Sequence, residues 1–171
     1  MHTEPFQFVT DLKTKYPSYF TSTKVLEVGS LDINGSVRGF FNNCQYTGLD
    51  VGPGKGVDIV CPIHEFIQPL VYDVVISTEM LEHDRHWKES LKQMFLNLKN
   101  GGILIFTCAG PTRQEHGTTR TLPQDAPFTN DWYRNISIED FQSILPVSFW
   151  STMDIYYLRG QADLMFYGIK K

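Results

Sequence analysis

Two strand-like runs at the C-terminal end of the chain are joined by a link that is too short for anything but a hairpin. Residues 149–158 and 164–169 are rich in aromatic and aliphatic side chains, and the segment Arg-Gly-Gln-Ala at residues 159–162 connects them. Parallel neighbours need a crossover of about a dozen residues, so this pair must be antiparallel. The chain is therefore predicted to end in an antiparallel hairpin.

Upstream of the hairpin, short apolar strands alternate with helical segments, which is typical of an α/β fold with a parallel sheet. We predict strands over residues 24–28, 45–51, 57–60, 72–77 and 102–109. We predict helices from residue 5 to near Pro17, near residues 37–41, from near Asp84 to Asn100-Gly101, and from Ser137, where Asp140 completes a capping box. Residues 110–135 show no periodicity, and a loop of this length is usually functional or disordered.

The composition of the chain indicates how many domains it can form and which partners it is suited to bind. The 171 residues are 42% hydrophobic and 13% aromatic, which is enough for the core of one domain. The formal net charge of −4 argues against extended nucleic acid as a partner. The sequence has neither an apolar run of about 18 residues nor a secretory signal, so we expect a cytoplasmic protein without a membrane partner. Cys44, Cys61 and Cys108 are expected to be reduced, buried thiols.

The segment KVLEVGSLDING predicts a ligand-binding turn after the first strand. Gly29 lets the backbone turn sharply, and Gly35 stands at the next helical segment, where free N–H groups can bind a polar ligand group. Glu27 and Asp32 suit a positively charged ligand better than a pyrophosphate. Asp50 ends the second strand, where an acidic side chain can bind ribose hydroxyls. A tight turn without a ligand and a solvated Asp50 remain the alternatives.

The sequence resembles those of the class I S-adenosylmethionine-dependent methyltransferases. The resemblance is carried by EVGS followed by NG, by YTGLDV, by YDVVIS with TEMLEH after it, by LKNGGILIFT, and by the closing hairpin. It implies a Rossmann-like, doubly wound sheet of seven mostly parallel strands in one domain, residues 1–171. Residues 1–22 would form an N-terminal helical segment, and residues 110–135 would cover the methyl acceptor.

The resemblance also implies a cofactor, S-adenosyl-L-methionine, and a set of residues that bind it. Glu27, Gly29 and Ser30 would surround the methionine portion, and Asp50 would bind the ribose. Val51 and Ile63 would pack on the adenine from its two sides, and the backbone at Ser77 would meet the methionine amino group. Pro62 stands where many relatives have an acidic residue, so a backbone carbonyl or His64 would have to bind the adenine N6.

Methyl transfer from a sulfonium requires alignment of the acceptor, exclusion of water and, for some acceptors, removal of a proton. His83, after the fourth strand, is the candidate base; the alternative is that Glu82-His83 only begin the next helix. Glu79, Glu82 and His83 also fall on one face of a helical turn, and with His116 they resemble the ExxEH arrangement of some metal-dependent O-methyltransferases. The sequence does not decide whether a metal binds.

The loop over residues 110–135 supplies candidate acceptor-binding residues, because arginines and aromatic rings can hold an anionic or planar molecule. These candidates are Arg113, His116, Tyr133 and Arg134, with Glu79 from the loop after the fourth strand. The same residues could instead pin the loop to the sheet.

The leading hypothesis is a methyltransferase for a small-molecule or sugar-like acceptor. Its alternatives are an RNA or protein methyltransferase, an NAD-dependent oxidoreductase, and a nucleoside-binding protein without catalysis. The missing GxGxxG, the acidic turn and the terminal hairpin count against the oxidoreductase.

Overall fold

A computed structural model describes residues 3–171, and its centre is one seven-stranded sheet. The strands are β1 (Lys24–Val28), β2 (Gln45–Asp50), β3 (Ile59–Val60), β4 (Tyr72–Thr78), β5 (Leu98–Ala109), β6 (Trp150–Leu158) and β7 (Asp163–Lys170). The α-helices are α1 (Thr3–Lys15), α2 (Trp87–Asn97) and α3 (Ile138–Gln142).

The strands are arranged in the order β3-β2-β1-β4-β5-β7-β6. Neighbours among β1 to β5 pair in parallel, whereas β7 pairs antiparallel with both β5 and β6. The predicted α/β fold and its closing hairpin are therefore confirmed. Because the strand order reverses between β1 and β4, a crevice opens at their carboxyl ends, where open α/β sheets bind ligands.

Both faces of the sheet are covered, as the apolar sequences of β4 and β5 require. Successive residues alternate between two core layers: Val75 and Leu104 pack with the layer under α2 and α3, and Val74 and Ile103 pack with the layer under α1. All four side chains are fully buried. The sheet is therefore a rigid central layer on which the loops at its carboxyl edge are mounted.

The helix after β4 differs from its prediction. It begins at Trp87 rather than at Asp84, because the Asp84 carboxylate accepts hydrogen bonds from the His86 N–H at 2.7 Å and from the Ser90 hydroxyl. These bonds hold a turn ahead of the helix. The helix also ends earlier than predicted, since Leu98 already pairs with β4. The predicted helix near residues 37–41 is a single 3-10 turn, Arg38–Phe40.

The capping box that predicted α3 is present. Ser137 Oγ accepts from the Asp140 N–H at 3.0 Å, and the Asp140 carboxylate accepts from the Ser137 N–H at 3.1 Å. This short helix places Phe141 in the core, where its ring lies 4.4 Å from that of Phe166 and 5.3 Å from that of Phe106.

The cysteines fit their prediction in part, since Cys108 is a buried free thiol but Cys44 and Cys61 are half-buried. Within residues 3–171, no helix combines the length and the apolar character that crossing a membrane requires.

Phe141 should contribute strongly to stability, because its ring is fully buried between two other aromatic rings. We expect Phe141→Ala to lower the free energy of unfolding by about 3–5 kcal/mol, the range for a large side chain lost from a core. Urea denaturation measures this change. The exposed Leu122→Ala serves as control and should change stability by less than about 0.5 kcal/mol. A Phe141→Ala loss as small as that of the control would contradict the packing described.

Candidate functional site

A cavity of about 760 Å³ lies at the carboxyl ends of β1, β2 and β4. The turns after these strands form its floor, and parts of the loop over residues 110–135 form the opposite wall. The volume is typical of a site that encloses a small molecule. The cavity coincides with the crevice that the reversal of strand order creates.

The turn after β1 is shaped by a close contact. Gly29 has φ +79°, and a Cβ on this residue would lie 2.6 Å from Cβ and Cγ of Met80. Only glycine tolerates both the dihedral angle and the approach of this side chain. The Gly29 and Ser30 N–H groups both donate to the Leu49 carbonyl, at 2.9 and 3.1 Å. The turn therefore presents backbone to the cavity without an intervening side chain.

Asp50 is held in place at the end of β2 by two backbone N–H groups. Its Oδ2 accepts from Leu31 at 3.0 Å and its Oδ1 accepts from Gly52 at 3.2 Å. Each carboxylate oxygen has a second lone pair, so two further hydrogen bonds can be accepted from the cavity. Val51, which is exposed, and Ile63, which is buried, line the cavity on either side.

Glu27 is a carboxyl group buried at the end of β1, with 3% of its surface exposed. Burial raises its pKa to about 7, and the Tyr46 hydroxyl and Arg38 only partly oppose that shift. Its Oε2 has no hydrogen-bond partner, although the residue lines the cavity. A cationic ligand group would favour the ionised form of this carboxyl.

His83 and His116 line the other end of the cavity, and Glu82 lies beside them. One ligand atom from each residue lies within 4.8 Å of the other two, and the two imidazole rings are 4.9 Å apart. His83 Nδ1 and Glu82 Oε2 are buried without hydrogen-bond partners. Burial, and secondarily His116, lower the pKa of His83 to about 4, whereas burial raises that of Glu82 well above its ordinary value.

Glu79 does not join this group in the way that the sequence suggested. It has φ +55°, so it lies outside a helical turn, and its Oε1 accepts from the Thr107 hydroxyl at 2.8 Å. It nevertheless lines the cavity, as do Arg113 and His116. Arg113 forms an ion pair with the buried Asp163 at 2.9 Å, which ties the start of the loop to β7.

Three predicted site residues do not line the cavity. Ser77 is fully buried within β4, which extends one residue further than predicted. Thr78, the last residue of the strand, lines the cavity instead. Tyr133 lies behind His83 and His116, with ring distances of 5.5 and 5.1 Å. Arg134 pairs with Asp140 at 2.8 Å, and its guanidinium lies over the Trp87 ring, so it pins the loop.

Gly35 lines the cavity, but its N–H group is already used. It donates to the Asp32 carboxylate at 2.8 Å, so the prediction of a free N–H at this position is wrong. Asp32 in turn pairs with Lys55 at 2.7 Å, which fixes the turn against the loop after β2.

Met80 and Phe128 are among the residues that shape the cavity without having been predicted from the sequence. Met80 lies against Gly29, and its place directly after Glu79 at the end of a strand could have indicated a role there. Phe128 reaches the cavity from the long loop and lies on Gly52. No periodicity or spacing in that loop singles out Phe128.

No protein-family model and no curated protein matches the sequence. The fold is similar to that of a 1,6-didemethyltoxoflavin-N1-methyltransferase from Burkholderia thailandensis, solved with 1,6-didemethyltoxoflavin and S-adenosylhomocysteine. The two are 12% identical, the TM-score is 0.64, and the match covers 100% of this chain and 92% of that one. The fold is also similar to that of a SAM-dependent methyltransferase from Archaeoglobus fulgidus. The two are 15% identical, the TM-score is 0.64, and the match covers 96% of this chain and 94% of that one.

A third similar structure is phosphoethanolamine N-methyltransferase 2 from Haemonchus contortus, in complex with S-adenosyl-L-methionine. It is 14% identical with a TM-score of 0.69, and 96% of this chain matches 52% of that protein, so the present chain spans about half of its length. At these identities the likeness establishes a shared fold: the seven-stranded, Rossmann-like sheet is the architecture of these methyltransferases.

Burial of Glu27 predicts a pH dependence of stability. Its folded-state pKa of about 7 exceeds the ordinary value of 4.5, so between these pH values the folded state keeps the proton while the unfolded state loses it. Stability should therefore fall as the pH rises from about 4.5 to about 7, by up to about 3 kcal/mol from this residue. Glu27→Gln, which cannot ionise, should remove that part of the fall.

Urea denaturation of the ligand-free protein at pH 5 and pH 8 measures the effect. The variant should match the wild type at pH 5 within about 1 kcal/mol and exceed it at pH 8. Glu89→Gln, at an exposed position on α2, is the matched control and should follow the wild type at both values. Parallel pH profiles for wild type and Glu27→Gln would contradict this assignment.

Proposed function

We propose that this chain is an S-adenosylmethionine-dependent methyltransferase that acts on a small-molecule or sugar-like acceptor. The observation that carries the proposal is the cleft at the ends of β1 and β2, where the anchored Asp50 carboxylate and the buried Glu27 carboxyl line one cavity. The shared fold supports it, because similar structures hold S-adenosylmethionine or S-adenosylhomocysteine.

In this proposal the cofactor lies across the carboxyl ends of β1 and β2. Asp50 accepts hydrogen bonds from the ribose hydroxyls, and Val51 and Ile63 contact the adenine. Glu27, Gly29 and Ser30 surround the methionine portion, where the Glu27 carboxyl favours a cationic group. The cofactor's sulfonium and amino groups are both positive, whereas a dinucleotide pyrophosphate is negative, so this acidic turn favours the sulfonium compound.

The reaction is an in-line displacement at the methyl carbon. A lone pair of the acceptor forms the new bond to carbon, the carbon–sulfur bond breaks, and its electron pair neutralises the sulfonium. A hydroxyl or amine acceptor also gives up a proton. His83 and His116 line the end of the cavity that would face the acceptor.

We assign different roles to these two imidazoles. The pKa of His83 is about 4, so its ring is neutral near pH 7. It can accept a hydrogen bond from the hydroxyl or amine of the acceptor, but it is too weak a base to hold that proton. His116 is half-buried, and it is the candidate that passes the proton toward solvent. Arg113 and Glu79 supply further polar groups at this end of the cavity, which favours a polar acceptor.

A metal ion is the alternative occupant of this end. Two imidazoles and a carboxylate are donors that suit a divalent transition metal, and such an ion would lower the pKa of a bound hydroxyl. Metal analysis of the purified protein, with Co²⁺ titration followed by visible absorption, separates the alternatives. A Co²⁺ spectrum that is lost in His116→Ala would assign the cluster to a metal.

Asp50→Ala should weaken cofactor binding by about 1.5–3 kcal/mol, which is about 10- to 150-fold in Kd, because hydrogen bonds to a charged group are lost. Calorimetric titration with S-adenosylhomocysteine measures the change. Asp154→Ala, at an exposed position on β6 away from the cavity, should bind like the wild type.

Two results would contradict the proposal. Unchanged affinity in Asp50→Ala would remove the ribose role of this residue. Binding of NADH in preference to S-adenosylhomocysteine by the wild type would favour the oxidoreductase alternative instead.

A further inference from the structure

We infer that Phe128, in the loop after β5, forms part of the wall around the nucleoside, so that the loop over the acceptor also retains the cofactor. The inference rests on the proposed function, because it takes the cleft to hold S-adenosylmethionine. The starting observation is that residues 125–130 line the same cavity as Asp50 and Val51, although they are about 75 positions away in sequence.

The ring of Phe128 lies directly on the backbone after β2. A Cβ built on Gly52 would be 2.0 Å from Cδ2 and 2.4 Å from Cε2 of this ring, so only a residue without a side chain fits beneath it. The Gly52 N–H also donates to Asp50 Oδ1 at 3.2 Å. Phe128 therefore contacts Gly52, which lies two residues after the proposed ribose ligand Asp50.

Phe128 is placed as a ligand-contacting side chain rather than as a core residue. It is 55% exposed although it lines the cavity, and its φ of +68° is unusual for a residue other than glycine. Asp131, three residues later, anchors this part of the loop, because its Oδ2 accepts from the Thr119 hydroxyl at 2.7 Å. An exposed ring held in such a conformation gains contact area when a planar base occupies the cavity.

The same loop touches the acceptor end of the cavity. A Cβ on Gly117, which has φ +68°, would lie 2.5 Å from Ala126 Cβ and 2.8 Å from His83 Cε1. The loop therefore contacts His83 at Gly117, which lies against Ala126, and it contacts Gly52 at Phe128, two residues after Ala126. A displacement of the loop that opens one end of the cavity must disturb the other, so cofactor release is expected to require opening over the acceptor end.

The test measures the dissociation rate of S-adenosylhomocysteine by stopped-flow fluorescence. Phe128→Ala should raise this rate about tenfold, because an aromatic contact with the nucleoside is lost. Leu122→Ala removes a similarly exposed apolar side chain from the same loop, outside the cavity, and should leave the rate unchanged. Thermal melting checks that both variants fold.

Gly52→Ala provides a second, independent test of the contact between Phe128 and Gly52. The added methyl should displace the Phe128 ring and raise the dissociation rate to a similar extent in the wild type. In a Phe128→Ala background it should add nothing, since the ring is already absent.

The outcomes separate the two proposals. If the wild type does not bind S-adenosylhomocysteine, the proposed function itself fails. If the wild type binds it and Phe128→Ala dissociates at the wild-type rate, the inference about Phe128 is overturned while the function stands. Equal effects of Gly52→Ala in both backgrounds would overturn the Phe128–Gly52 contact as the cause.

Discussion

The parallel pairing of β1 with both β2 and β4 is the constraint on which the rest of the structure depends. Because these three strands run in one direction, their carboxyl ends meet at one edge of the sheet, and the reversal of strand order leaves a crevice there. The buried side chains on both faces prevent the strands from slipping, since a shift by one residue would exchange the two core layers. The turns that follow are therefore held in fixed relative positions around one cavity.

Two buried carboxyl groups near this edge of the sheet suit ligand binding better than they suit the stability of the ligand-free protein. Glu27 and Glu82 are buried beside the cavity, and burial raises the pKa of each, so their charged forms are disfavoured without a partner. In a fold selected only for stability, apolar residues would fill these positions. Carboxyl groups that lack a full set of partners and lie next to a cavity are expected where a ligand supplies the missing charge or hydrogen bond.

Much of the fold could be predicted from the sequence, because apolar strands, turn glycines and a capping box act locally. The boundaries of α2 could not, because the Asp84 side chain creates a turn that periodicity does not reveal. In the site, Gly29, which directly follows β1, and Asp50, the last residue of β2, both line the cavity, because their places at the strand ends can be predicted from the sequence. Tyr133, Arg134 and Phe128 depend on how a long irregular loop folds back, which is decided by tertiary contacts alone.

The central claim is that this cleft holds the adenosyl sulfonium with its ribose against Asp50. A crystal structure of the protein grown with S-adenosylhomocysteine tests it most directly. The account predicts density along the ends of β1 and β2, with both ribose hydroxyls within about 3 Å of the Asp50 carboxylate. A cleft without ligand at saturating concentration, or a ligand bound away from Asp50, would contradict it.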